Sequence, residues 1–363
     1  MNASTDRLAG LRGLVGRFAP LRRPVTDQSP LPAGWRVIAA KELADHITSI
    51  RFIVLLVVLG IAAAVPLYFA SGQLRDAAQQ ASGVPAIFLA LFTLGSEQFT
   101  FLRADTFVSL LAPLLGIAFG FDAINVERSE GTLPRLVSQP IHRDDVINGK
   151  FAAGLAIIAL TLAGMVAVVT GVGMFRMGHV PDINEIGRIL AWLALTILYV
   201  GFWLAFALLL SVLLRRAASS ALIGFATWLG VVIFGALLIT LLANLIAPLP
   251  ATVATLEDKE QELAALQTQQ LITRLSPHTL YVEATSAILS PVDPVTAQGG
   301  AANYAARSID ELLQAADERR IPSILSIQQS LLLVWPQIVA LLALTVLVFA
   351  AAYIAFMRQE IRA

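Results

Sequence analysis

Apolar and polar positions fall in long blocks along this chain of 363 residues. Six runs dominated by Leu, Val, Ile, Ala and Phe lie near 52–70, 107–125, 150–175, 189–213, 219–247 and 331–356. Each matches or exceeds the roughly twenty residues with which a helix crosses a hydrocarbon core. The fifth is long enough to tilt, or to break near Gly230 or Gly235. Ahead of the first run, residues 35–50 have helical spacing: Ala39, Leu43, Ile47 and Ile50 face one way, while Lys41, Asp45 and Thr48 face mostly another, and Trp35 suits a membrane–water interface. The pattern predicts an all-α, polytopic membrane protein with six transmembrane helices.

The polar intervals carry their own signals. The stretch Glu127–Arg143 lies between the second and third runs; Leu133, Leu136 and Val137 fall at i, i+3, i+4, with Gly131 before them and Pro140 after. This spacing predicts a short amphipathic helix whose apolar face has nothing of its own to bury against, though an ordinary loop has the same composition. Residues 248–330 form the one sizeable polar segment. A possible capping box at Thr255 and Asp258 opens a helix to about Leu275, Ser276-Pro277 opens a second to about Leu289, and Ser308 with Glu311 opens a third to about Glu318. Such a segment is too poor in apolar residues for a core of its own and predicts a small helical cap packed on the span ends. The chain thus divides into a basic tail (1–34), an amphipathic helix (35–50), a membrane domain with spans one to five and the loop 126–149 (51–247), the cap (248–330), and the sixth span with the C-terminus (331–363).

Composition fits this division. The chain is 57% hydrophobic and 14% charged, far more apolar than a soluble domain. Its formal net charge is zero, so no global field favours nucleic acid. The distribution of basic residues is more informative. Arg51, Arg128, Arg135, Arg143, Lys150, Arg215, Arg216, Arg358 and the N-terminal arginines share one side of the six-span scheme, while Arg75, Arg103, Arg176 and Arg188 occupy short segments on the other. Short loops rich in Lys and Arg stay in the cytosol, so both termini and the 126–149 loop are expected there, and the cap outside. The arginine-rich tail, with Leu8, Leu11, Val15 and Phe18 in one stripe, suits either an anionic lipid surface or a disordered segment.

Candidate chemistry is sparse. No cysteine exists to make a disulfide, a thiolate metal site or a nucleophile. Gly149-Lys150 does not belong to a P-loop, because Asp144 stands where the first glycine is needed and Phe151 where Ser or Thr is needed. No cofactor is expected on this chain, and it is not expected to be an enzyme. Met174, Met177 and His179 gather soft ligands at the outer end of the third run, a weak metal candidate that also reads as packing. Asp122, near the cytosolic end of the second run, reads as an interfacial carboxylate or as a partner for a cytosolic arginine. Gly116 and Gly120 form a GxxxG, and Gly224 thins the fifth run; both patterns permit close helix approach. Midplane charges of the kind a secondary transporter uses are missing.

Gly131-Thr132-Leu133, Leu136-Val137, Gln139-Pro140, Arg143 and Gly149-Lys150-Phe151 resemble the permeases of type-2 ABC exporters, the NosY-like branch above all. The span order fits as well; the segment before the last span is longer than in compact members. The resemblance implies an elbow helix at 35–50 and a coupling helix that docks Gly131, Thr132, Leu133, Leu136, Val137 and Arg143 on a separate ATPase subunit. It further implies two ATPase copies and a homodimer whose interface and pathway include Gly116, Gly120 and Gly224, in a prokaryotic cytoplasmic membrane. The expected function is outward movement of an unidentified substrate, with the cap open to an extracytoplasmic partner. The alternative is a membrane scaffold whose outer cap recruits envelope partners without transport.

Overall fold

The computed structural model describes residues 34–61, 63, 68, 87–93, 103–131, 142–178, 180–249, 256–289 and 325–359. The tail 1–33, most of the expected coupling helix and the helix expected at 308–318 lie outside them. Every regular element among the described residues is helical: α1 (Gly34–Ile47), α2 (Ile50–Ile61), a 3-10 turn (Ile87–Leu89) leading into α3 (Ala90–Thr93), α4 (Ala104–Gly120), α5 (Asn125–Ser129), α6 (Arg143–Met177), α7 (Ile183–Leu213), α8 (Ala217–Ile233), α9 (Gly235–Ile246), α10 (Leu256–Thr273), α11 (Pro277–Leu289) and α12 (Ile327–Met357).

Four stretches among the described residues are long and apolar enough to cross a membrane alone: Ala104–Ser129, Arg143–Arg176, Ile183–Leu213 and Ile327–Met357. Two bent pairs qualify when each is taken together: α1 with α2, at 64°, and α8 with the rest of α9, at 60°. The second bend falls at Phe234, next to Gly235, one of the two expected sites.

In three spans the first turn is charged or polar but capped, so the helix starts earlier than hydropathy indicates. In α6, Asp145 accepts a hydrogen bond from the His142 N–H at 3.3 Å, and Asp144 and Asp145 sit where the helix dipole favours anions. The expected loop 126–149 is therefore partly helical at both ends, as α5 and the first turns of α6. In α7, Asp182 and Glu185 cap each other reciprocally at 2.7 and 2.8 Å. Ser326 and Gln329 do the same for α12, at 3.3 and 2.8 Å.

Helix α7 is the centre of the bundle. Trp192, Tyr199, Val200, Trp203, Leu204 and Ala207 are buried in a core shared with α4, α6, α11 and α12. Two short segments outside the predicted spans also enter this core: Phe88, Leu89, Leu91 and Phe92 from the α3 region, and Leu280, Tyr281, Ala284, Ile288 and Leu289 from α11. Of the expected cap, α11 is thus built into the bundle rather than laid on it, while α10 keeps Leu263, Leu266 and Leu271 exposed and touches α9 through Gln269 and Asn244. A second, smaller apolar cluster joins Ile38, Ile124, Val146, Ile147, Leu208, Val212, Ala352 and Phe356.

Candidate functional site

The loop between α5 and α6 is held at both roots by a frame of polar contacts. Its near root is α5, which follows α4 after a four-residue turn. There the backbone N–H groups of Ile124 and Asn125 both donate to Ser211 Oγ of α7, at 3.0 and 3.2 Å. This hydroxyl supplies an acceptor to two donors at a helix start that lack an intrahelical one. Arg128 then donates to the Gln359 side-chain oxygen. From the far root, the Arg143 guanidinium reaches the Gln359 backbone carbonyl at 3.4 Å, and Gln359 Nε2 donates to the Val212 carbonyl at 2.6 Å. Gln359, two residues past the end of α12, thus ties both ends of the loop to the end of α7.

Helix α1 completes the frame by crossing the start of α6. The crossing is close: a Cβ on Gly149 would lie 2.8 Å from Ile38 Cβ and from the Trp35 carbonyl oxygen. Beside it the Lys150 side chain, 5% exposed, contacts Glu42 of α1 at 3.0 Å and Glu127 of α5 at 2.7 Å. Phe151 follows with its ring 4.4 Å from that of Phe349 in α12. Each residue of Gly149-Lys150-Phe151 therefore holds a different neighbour. Arg51, at the start of α2, pairs with Asp122 in the turn after α4 and stacks over Phe121. Of the two readings of Asp122, the partner to an arginine on this side matches the geometry.

Titration within the frame follows burial and charge. Burial holds the His46 imidazole below its ordinary value, with its ring edge against Phe119. Partial burial works against the Lys41 ammonium, but Asp45, Glu42 and Glu127 outweigh it and raise its pKa above the usual lysine value.

The expected site residues divide. Gly131 has φ of +67°, the left-handed conformation a glycine adopts without strain, and turns the chain into the loop. Arg143 belongs to the frame. Thr132, Leu133, Leu136 and Val137 lie outside the described residues. Gly116 and Gly120 face α7, where added Cβ atoms would stand 2.6 Å from the Val200 carbonyl oxygen and 2.8 Å from Ala207 Cβ. A Cβ on Gly224 would meet Ile117 at 3.3 Å. All three glycines approach helices of the same chain closely. Met174 packs against the main core, while the Met177 side chain and His179 lie outside the described residues. Lys150, Glu42, Glu127, Ser211 and Gln359 were not singled out as a group, because charge at a span end is equally compatible with contact to water.

A family model described as ABC-2 family transporter protein matches residues 36–361. No curated protein matches the chain.

Proposed function

The chain belongs to the ABC-2 transporter family, and from that membership we propose that it is the permease of an ATP-driven exporter, coupled through its 126–149 loop. Membership makes it a multi-pass membrane permease subunit associated with an ABC ATPase. Beyond that, our reading is a homodimer with two ATPase copies, six spans, both termini and the loop in the cytosol, and an outward route for an unidentified substrate. Gly131-Thr132-Leu133 and Gly149-Lys150-Phe151 favour the NosY-like branch within the family. The observation that carries the reading is the frame: Gln359 and Lys150 fasten the loop roots to α7, to the end of α12 and to α1. A loop fastened in this way passes a push on its tip to several helices at once, as alternating access requires.

The test is Leu133→Asp. If Leu133, Leu136 and Val137 insert into an ATPase groove, burying an unpartnered carboxylate there costs several kcal/mol. Co-purification of the ATPase, or its stimulation by the permease, should be lost while membrane insertion survives. Arg135→Ala, off that apolar face, should be mild. If Leu133→Asp binds and stimulates as wild type does, the coupling role of this loop is rejected. If no ATPase accompanies the wild type under gentle extraction, the scaffold reading takes its place.

A further inference from the structure

Lys150 stands where three segments meet: the start of α6 that bears it, α1 through Glu42 at 3.0 Å, and the loop root through Glu127 at 2.7 Å. Lys41, the other cation near Glu42, is 3.6 Å away and 65% exposed, so water screens its contact. Lys150 is 5% exposed and is not screened in this way. The backbone beside it fixes the geometry. Ile38 and the Trp35 carbonyl oxygen leave no room for a Cβ on Gly149, so α1 and α6 cross at close range there. Lys150 is next to this crossing, and its two carboxylates sit on α1 and on α5, the near root of the loop.

We infer that Lys150 is the positioning residue through which displacement of the 126–149 loop is passed to α1. One ammonium, 5% exposed and shared by two carboxylates, moves Glu42 and Glu127 together, because drawing either away pulls apart a charge pair that water screens little. The role goes beyond the ATPase contact proposed above and rests on that reading, since without an ATPase the loop has nothing to push it. A simple staple would use the same atoms, so the test reads correlated motion as well as stability.

The chain has no cysteine, which allows spin labels at Ala44→Cys on α1 and Ser129→Cys on the loop root, both exposed. The full-length protein in lipid nanodiscs, alone and with its ATPase trapped with ATP and vanadate, is measured by pulsed electron resonance. With Lys150 present, the label separation should stay narrow and unchanged on trapping. With Lys150→Met it should broaden or shift, and stimulation of the bound ATPase should fall on the order of fivefold or more. Lys150→Arg should restore both. Glu127→Gln gives the same test if Lys150→Met does not fold. A Lys150→Met protein with wild-type separation and stimulation overturns the inference, as does one that is merely less heat-stable yet fully stimulating. If the ATPase ignores the wild type while the separation still depends on Lys150, the coupling reading fails and the mechanical link stands.

Discussion

Gly116 marks how little room separates α4 from α7. Between membrane helices, lipid is as apolar as leucine, so association depends on close packing rather than on expulsion of water. A methyl group at Gly116 would sit 2.6 Å from one backbone oxygen and 2.7 Å from the Leu204 nitrogen, neither of which can yield as a side-chain end does. Gly116→Ala should therefore cost about 1–3 kcal/mol, the usual range for overpacking. Gly164, on α6, has open space where its Cβ would go, and Gly164→Ala should be neutral or slightly stabilising. Thermal unfolding of the two purified variants checks the contrast; equal midpoints would refute it. The glycine spacing was visible in the sequence, but the surface it approaches was not, because periodicity describes one helix and never its partner. The same holds for Asp122 and Lys150. Their positions near span ends could be read from the chain, while Arg51, Glu42 and Glu127 are brought to them only by packing.

Among the elements, α11 departs furthest from expectation. Its start was legible, since Pro277 follows Ser276, whose Oγ accepts from the Thr279 N–H at 3.4 Å. Its burial was not, because Tyr281, His278 and Thr285 read as polar in any hydropathy window. In the fold the first two are matched: Tyr281 stacks on Tyr199 at 4.3 Å and shares a hydrogen bond with Thr196 at 3.0 Å, and Tyr199 meets His278 at 3.3 Å. The far end of α11 is held by Arg188, which donates to the Ile288 carbonyl at 2.8 Å, to Ser330 Oγ at 3.1 Å and to the Leu325 carbonyl. Helix ends leave carbonyls without partners, and this guanidinium serves one at the end of α11 while also holding the start of α12. Arg188→Gln keeps the polarity but cannot reach all three acceptors. Each buried acceptor left unmet costs about 1–3 kcal/mol, so amide hydrogen exchange should accelerate across 277–289 while 150–170 stays protected. Uniform protection in the variant would mean that apolar packing alone seats α11. Arg188 also explains why the fourth run was predicted to begin at 189: the hydropathy window ended at a charge that the fold satisfies internally.

Across the whole molecule, contacts sort the helix ends into two groups. One gathers Arg51, Asp122, Lys150, Ser211 and Gln359 around the loop roots. The other gathers Tyr68 with Arg176, whose guanidinium lies 5.1 Å from the ring, Phe88 with Glu185, and Arg188 with Ile288 and Leu325. A segment that leaves one group and ends in the other crosses an odd number of times. Residues 217–288 do so, since α8 follows α7 after only Leu214–Arg216 and α11 ends at Arg188. Among the described residues there, no single helix is a span by itself, so the six-span reading assigns this crossing to the bent pair α8–α9. The alternative is a pair that dips in and returns, which would reduce the crossings between Ser129 and Gln267 from three to two. Single cysteines at these exposed positions separate the cases in a background that contains no other thiol. In intact cells, a membrane-impermeant maleimide should label Gln267→Cys and spare Ser129→Cys until the membrane is opened, because the basic residues of the short loops lie on the Ser129 side. Labelling of both from one side would make α8–α9 re-entrant. It would also leave the Gln359 contacts with Arg128 and Arg143 unexplained, because α12 would then end on the opposite face from the loop roots it touches.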